Sequence, residues 1–204
     1  MKSDAIAFGI AGIAFGLIAG WVIGTQQARV TMAPAVPVAS AAPAADSEPR
    51  AAILDETKVN ALKIVAEREA TNPKPRVELA NLYFDAEKFD DAIKWYEAAF
   101  KLNPKDVNVS TDLGVSYYYS NNPDKALEQL DLSLKLDPKH AKTLLNIGIV
   151  KAFAKQDLEG ASKAWQQVIQ LAPDSPEAQA AKRALDTFTS SHPAVGGAAQ
   201  KPGA

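Results

Sequence analysis

The residue types that do chemistry are sparse in this chain. Cysteine is absent from its 204 residues, which removes disulfides, thiolate metal sites and cysteine nucleophiles. Histidine, the usual base and metal ligand near neutral pH, occurs twice. His140 and His192 each stand alone in loop-like sequence and read as solvated surface residues. Asp90-Asp91 is an acidic pair in a turn, where carboxylates favour the start of a helix over a bound cation. Tyr117-Tyr118-Tyr119 offers three rings for stacking, but no basic groove accompanies them, and base recognition needs one. The net charge of −2 gives no electrostatic case for DNA or RNA. The sequence contains no Gly-rich phosphate loop, no nucleophile elbow and no His/Asp/Glu cluster at ligand spacing. The expectation is a non-enzymatic protein, with no cofactor and no metal, that works through its surface.

The elements that shape that surface repeat. Ala80, Gly114 and Gly148 follow one another at intervals of 34, each after Leu79, Leu113 or Ile147. Tyr83 and Tyr117 keep the same interval, as do Ala92 and Ala126, and Ala161 comes 35 later. A bulky residue stands four positions on, at Tyr96, Leu130 and Trp165, and each copy closes on a proline, Pro104, Pro138 or Pro173. The small residues let two helices approach, and the bulky one fills the space between them, as dense interiors require. Proline then stops the second helix. Each unit therefore reads as helix, tight turn, helix, stop; one unit cannot bury its apolar face alone, but a stack can.

This pattern resembles the tetratricopeptide repeat (TPR) family, over roughly half the chain. The first copy supplies Leu79, Ala80, Tyr83, Ala92, Tyr96, Ala99 and Pro104. The second supplies Leu113, Gly114, Tyr117, Ala126, Leu130, Ser133 and Pro138. The third supplies Ile147, Gly148, Ala161, Trp165, Val168 and Pro173; it departs at Lys151 and carries one extra residue between Gly148 and Ala161. The family's first tryptophan is replaced by Arg76, Ser110 and Leu144. The resemblance implies an all-α, right-handed superhelical array of three hairpins, at about 73–106, 107–140 and 141–174, within a domain spanning 51–189. It also implies a groove lined by the first helix of each unit: Val77, Asn81, Phe84 and Asp85, then Thr111, Val115, Tyr118 and Tyr119, then Leu145, Ile149, Ala152 and Phe153, with Lys142 and Asn146. Of the Lys, Asn and Arg set with which some members hold a C-terminal carboxylate, only Asn81 and Lys142 agree; Val77, Asp112 and Asn146 do not.

The flanks complete the expected layout. Ala5 to Gly24 is twenty uncharged, mostly apolar residues, enough for a helix of about 30 Å, a bilayer core. Its length and the poor cleavage site after it favour a retained anchor, residues 1–28, over a removed leader. Gly12, Gly16, Gly20 and Gly24 share one face of that helix and would let two membrane helices associate. Residues 29–50, rich in Ala and Pro, read as a linker. An amphipathic capping helix is expected at 51–71, with a stripe of Leu54, Ala61, Leu62 and Val65, and a second at 175–189, with Ala178, Ala181, Leu185 and Phe188 inward. Asn122 and Ser175, each followed by proline, read as helix caps. A tail at 190–204 is expected to be disordered.

The function expected from this layout is a membrane-anchored adaptor that holds a segment of another polypeptide, with the repeats in the periplasm if the cell is bacterial. Two alternatives stand beside it: an assembly factor presenting apocytochrome during cytochrome c maturation, which resembles it in layout, and a structural homo-oligomer built through the glycine face.

Overall fold

The computed structural model describes residues 52–191. The expected anchor at 1–28 with its glycine face, the linker at 29–50 and the tail beyond Ser191 lie outside the described residues. Among those described there are eight helices and no strand: α1 Glu56–Arg68, α2 Lys74–Asp85, α3 Phe89–Leu102, α4 Val107–Tyr119, α5 Pro123–Leu136, α6 Ala141–Phe153, α7 Leu158–Leu171 and α8 Pro176–Ser191. None is long and apolar enough to cross a membrane.

Local chemistry sets the helix ends. Asp55 accepts from the Lys58 amide at 3.0 Å, so α1 begins at Glu56 rather than at 51. Asp106 caps α4 through the Asn108 and Val109 amides, Asp157 caps α7 through Gly160, and Ser175 caps α8 through Ala178. Asn122 departs from expectation. It sits at the cap position of α5, but its amide donates to Ser120 instead, and no side chain caps that helix. Pro123 removes the first of the unpaired amides at that end. The first end of α1 is matched by an unusual second end: the Arg76 guanidinium, from α2, donates to the carbonyls of Ala66 and Asn72 at 2.9 Å and Glu69 at 3.3 Å. Arg76, at the position where the resemblance implies a tryptophan, thus closes the preceding helix.

Each hairpin turns through a residue with a left-handed backbone: Glu87 (φ 56°), Asn121 (φ 62°) and Gln156 (φ 55°). Amide-to-carbonyl bonds close these turns, Lys88 to Tyr83, Asn122 to Tyr117 and Asp157 to Lys151. The third loop is one residue longer than the other two. The extra residue of the third copy is therefore absorbed between Ala154 and Gln156, and both helices keep their register.

The helices pack in chain order, α1 on α2 through to α7 on α8, and α4 also touches α6 and α6 touches α8. The small positions lie where helices cross. Ala80, Ala92, Ala126 and Ala161 are fully buried, as are Leu130 and Trp165. A Cβ on Gly114 would sit 2.8 Å from Leu130 Cγ, and one on Gly148 would sit 2.2 Å from Trp165 Nε1. Within the capping helix the buried residues are Val59 and Ala66, and Ala61 is exposed, so the inward stripe is centred on 59, 62 and 66 rather than on Ala61. In α8, Ala178 and Ala181 are fully buried and the helix runs two residues beyond the expected 189.

Candidate functional site

The first helices of the three hairpins, α2, α4 and α6, carry the residues expected to line the groove. On α2, Asn81 is exposed, and Val77, Phe84 and Asp85 are partly so. Asn81 Oδ1 accepts from the Tyr96 hydroxyl at 2.5 Å. Burial, with the Asp112 and Asp85 carboxylates nearby, raises the Tyr96 pKa well above its ordinary value, so this phenol stays protonated. Burial likewise raises the Asp85 carboxyl, opposed by Lys58.

At the C-terminal ends of α2 and α4 an aromatic cluster forms. Phe89 stacks on Tyr119 with centroids 4.9 Å apart, and Phe84 meets both edge-on at 5.3 and 5.5 Å. Tyr118 meets Tyr119 edge-on at 5.5 Å. Burial pushes the Tyr118 phenol up to about 12. Tyr117 points the other way: its hydroxyl donates to Glu97 on α3, and burial together with that carboxylate pushes it up to about 12.

Several residues expected to line the groove do not. Thr111, Leu145 and Ile149 are buried, as is Ala152. The cause is the position of α6. Eight of its thirteen residues are buried, because α4, α5, α7 and α8 all pack on it, and a helix apolar on all sides is enclosed. The Leu145 carbonyl accepts from Trp165 Nε1 at 3.2 Å. Phe153 is partly buried and meets Phe188 of α8 edge-on at 6.1 Å. Lys142 is not a free cation: its ammonium pairs with Asp112 at 2.5 Å, with side chains only 13% and 24% exposed. The described face is therefore narrower than expected and is carried by α2 and α4, with Lys142 and Asn146 from α6 at its edge.

His140 also departs from expectation. It is half-buried at the head of α6, with Nδ1 2.7 Å from the Thr143 hydroxyl, which lies 2.7 Å from the Thr111 hydroxyl. Thr111 donates to the Val107 carbonyl. A carbonyl only accepts and each hydroxyl has one proton. Thr143 must then donate to Thr111, and His140 Nδ1–H must donate to Thr143. Burial lowers the His140 pKa, Lys142 adds to this, and Asp137, Asp112 and Glu177 oppose it. A second buried polar set joins Ser110 to Ser133 and Gln129 at 2.8 Å each. Among the described residues every buried side-chain polar atom has a partner. The sequence signal for Arg76 and Ser110 was present, since both replace the family tryptophan. The His140 relay had no signal, because Thr111 lies 29 residues from His140 and 32 from Thr143. No group of three or more His, Cys, Asp or Glu among the described residues could hold a metal ion.

Comparison with known proteins agrees with this architecture. A family model described as TPR repeat matches residues 80–121, and one described as tetratricopeptide repeat matches residues 111–176. Residues 80–176 form a tetratricopeptide-repeat array. Among solved structures, the first TPR of Spaghetti (RPAP3) bound to HSP90 peptide SRMEEVD is similar at 24% identity and a TM-score of 0.51, over 68% of this chain and 95% of that one. MamA is similar at 19% identity and a TM-score of 0.55, over 63% of this chain and 75% of its own. The first TPR domain of human RPAP3 is similar at 26% identity and a TM-score of 0.52, over 58% and 93%. At these identities the first two likenesses concern the fold alone. No curated protein matches the sequence.

Proposed function

We propose that this TPR array is a non-catalytic receptor that holds a segment of another polypeptide on the face of α2 and α4, and that the apolar stretch at 5–24 tethers it to a membrane. One observation carries the first part: on α2 and α4, Val115 and the clustered rings of Phe84, Tyr118 and Tyr119 are partly exposed, and the Asn81 side chain is exposed. Apolar surface grouped around a few polar atoms is what a bound segment needs. The binding of an HSP90 peptide by a protein of similar fold is consistent with such a role. The tether rests on the sequence of residues 5–24, and it would raise the local concentration of the receptor at the bilayer.

A photo-crosslinking residue at position 115, compared with one at exposed Glu128 on α5, tests the receptor. Crosslinks to one partner band from 115 and none from 128 support the reading. Equal yields from the two sites, or yields from 128 alone, overturn it. The tether is tested by alkaline extraction of membranes. The full chain should remain in the pellet, and a chain starting at residue 52 should be released; release of both ends the membrane reading.

A further inference from the structure

The face of α2 and α4 has its charges already matched from within. At its edge the Lys142 ammonium reaches from α6 to the Asp112 carboxylate on α4 at 2.5 Å, with both side chains largely out of water. Asp112 therefore holds the position on Lys142 that a ligand carboxylate would take. An incoming acid would have to displace it and leave a partly buried charge unpaired, which is costly. An incoming base meets the same obstacle: Asp112 is held by Lys142, and Asp85 on α2 faces the charge of Lys58.

The groups left for a partner are neutral. Phe84, Phe89, Tyr118 and Tyr119 form one connected set of ring contacts, with centroids 4.9 to 5.5 Å apart. All four are partly exposed, as is Val115 one turn before the two tyrosines. Two side-chain amides add hydrogen-bonding capacity without charge. Asn81 Oδ1 accepts from Tyr96, which leaves its two N–H donors for a partner carbonyl. The Asn146 amide donates to the Lys142 carbonyl at 2.8 Å, one turn back on α6, which leaves its oxygen for a partner N–H. A peptide backbone supplies both of those groups, and apolar or aromatic side chains cover the rings without the cost of stripping water from a charge.

We propose that this face selects an uncharged segment of apolar and aromatic residues, and that Asp112 excludes acidic segments by standing on Lys142 in place of a ligand carboxylate. The proposal rests on the receptor reading above and names the chemistry of its partner.

The test pans random heptapeptides displayed on phage against the full chain in detergent, with the Val115→Gln chain as a charge-neutral counter-selection. Peptides that bind wild type but not Val115→Gln should be enriched in Phe, Tyr, Leu and Val and poor in charged residues. Enrichment in Asp or Glu, or in Lys or Arg, overturns this proposal and leaves the receptor reading standing. Absence of any peptide sensitive to Val115→Gln overturns both. The affinity of a selected peptide should change less than about twofold between about 0.05 and about 0.5 M salt, because screening acts on charges alone. A fall of about tenfold over that range would show that charge drives the binding and overturns the proposal. The acidic sequence SRMEEVD, bound by a protein of similar fold, serves as a fluorescent probe that reads Asp112 directly. Asp112→Asn should tighten this probe by about tenfold through the freed Lys142, and Lys142→Gln in the same chain should abolish the gain. No gain, or a gain that survives Lys142→Gln, overturns the role of Asp112. Thermal melts show whether each variant is folded, and Asp112→Ala replaces Asp112→Asn if that chain is not.

Discussion

At the scale of single residues, contact distance ranks the small positions. A methyl on Gly114 meets a leucine side chain that can swing, at 2.8 Å from Leu130 Cγ. A methyl on Gly148 meets the rigid indole of Trp165 at 2.2 Å, and that indole is fully buried and hydrogen-bonded to Leu145. Gly148→Ala should therefore cost about 1–3 kcal/mol, in the range of core overpacking, and more than Gly114→Ala. Denaturant midpoints of the two variants check the order; a Gly148→Ala chain as stable as wild type would mean that Trp165 has another place to go. His140 predicts a pH effect. Its folded pKa lies below the ordinary 6.5 because of burial, so between the two values the unfolded chain binds more protons and stability rises with pH. The contribution is complete above about pH 6.5 and is lost as pH falls through the lower, folded value. His140→Asn keeps a donor for Thr143 and does not titrate. Wild type should lose melting temperature between pH 7 and pH 5 relative to that variant, and parallel curves would remove His140 as the cause.

At the scale of elements, the hairpin turns carry strain that the helices tolerate. Left-handed backbone costs a residue with a Cβ about 1–2 kcal/mol. Asn121 bears it more easily than Gln156 or Glu87, because a short polar side chain suits that region. Glycine at Gln156 should relieve most of the cost and raise stability by about 0.5–1 kcal/mol, even though it adds freedom to the unfolded chain. Thermal melts of Gln156→Gly check this. A lower melting temperature would show that the longer third turn depends on its side chain. The same turn shows how an array absorbs an insertion: the Asp157 amide donates to the Lys151 carbonyl across a loop one residue longer than its counterparts, and Trp165 still meets Gly148 in register.

At the scale of the whole molecule, the closing helix is as much part of the interior as the repeats. Ala178 and Ala181 are fully buried, and Phe188 lies edge-on to Trp165 at 5.6 Å and to Phe153 at 6.1 Å. A chain ending at residue 174 would bare α6 and α7 to water. It should melt well below the full chain and bind an apolar dye, since a terminal repeat without its cap exposes an unpaired face. Equal melting temperatures would show that α8 is a passenger. At the opposite end Val59 and Ala66 of α1 are buried in one cluster with Leu79 and Ala80, and the Arg76 guanidinium adds hydrogen bonds to the carbonyls of Ala66, Glu69 and Asn72, so this end is closed by apolar packing and by hydrogen bonds together.

The order of helices, the places of the small and bulky residues and the two caps were legible in the chain. They depend on spacing along one strand of sequence: a step of 34 repeats the same local contacts, and a proline follows the second helix of each hairpin wherever it stands. What lines the binding face was not legible, because exposure belongs to neighbours rather than to position. Thr111, Leu145 and Ile149 occupy repeat positions equivalent to exposed or partly exposed ones elsewhere, yet Thr111 is enclosed where α6 meets α4 through Thr143, and Leu145 and Ile149 sit on a helix packed on by α4, α5, α7 and α8. The pairing of Lys142 with Asp112 and the relay from His140 to Thr111 likewise arise only once the second and third hairpins stack. Folding brings residues some thirty positions apart into contact, and only there is it decided which charges remain for a partner.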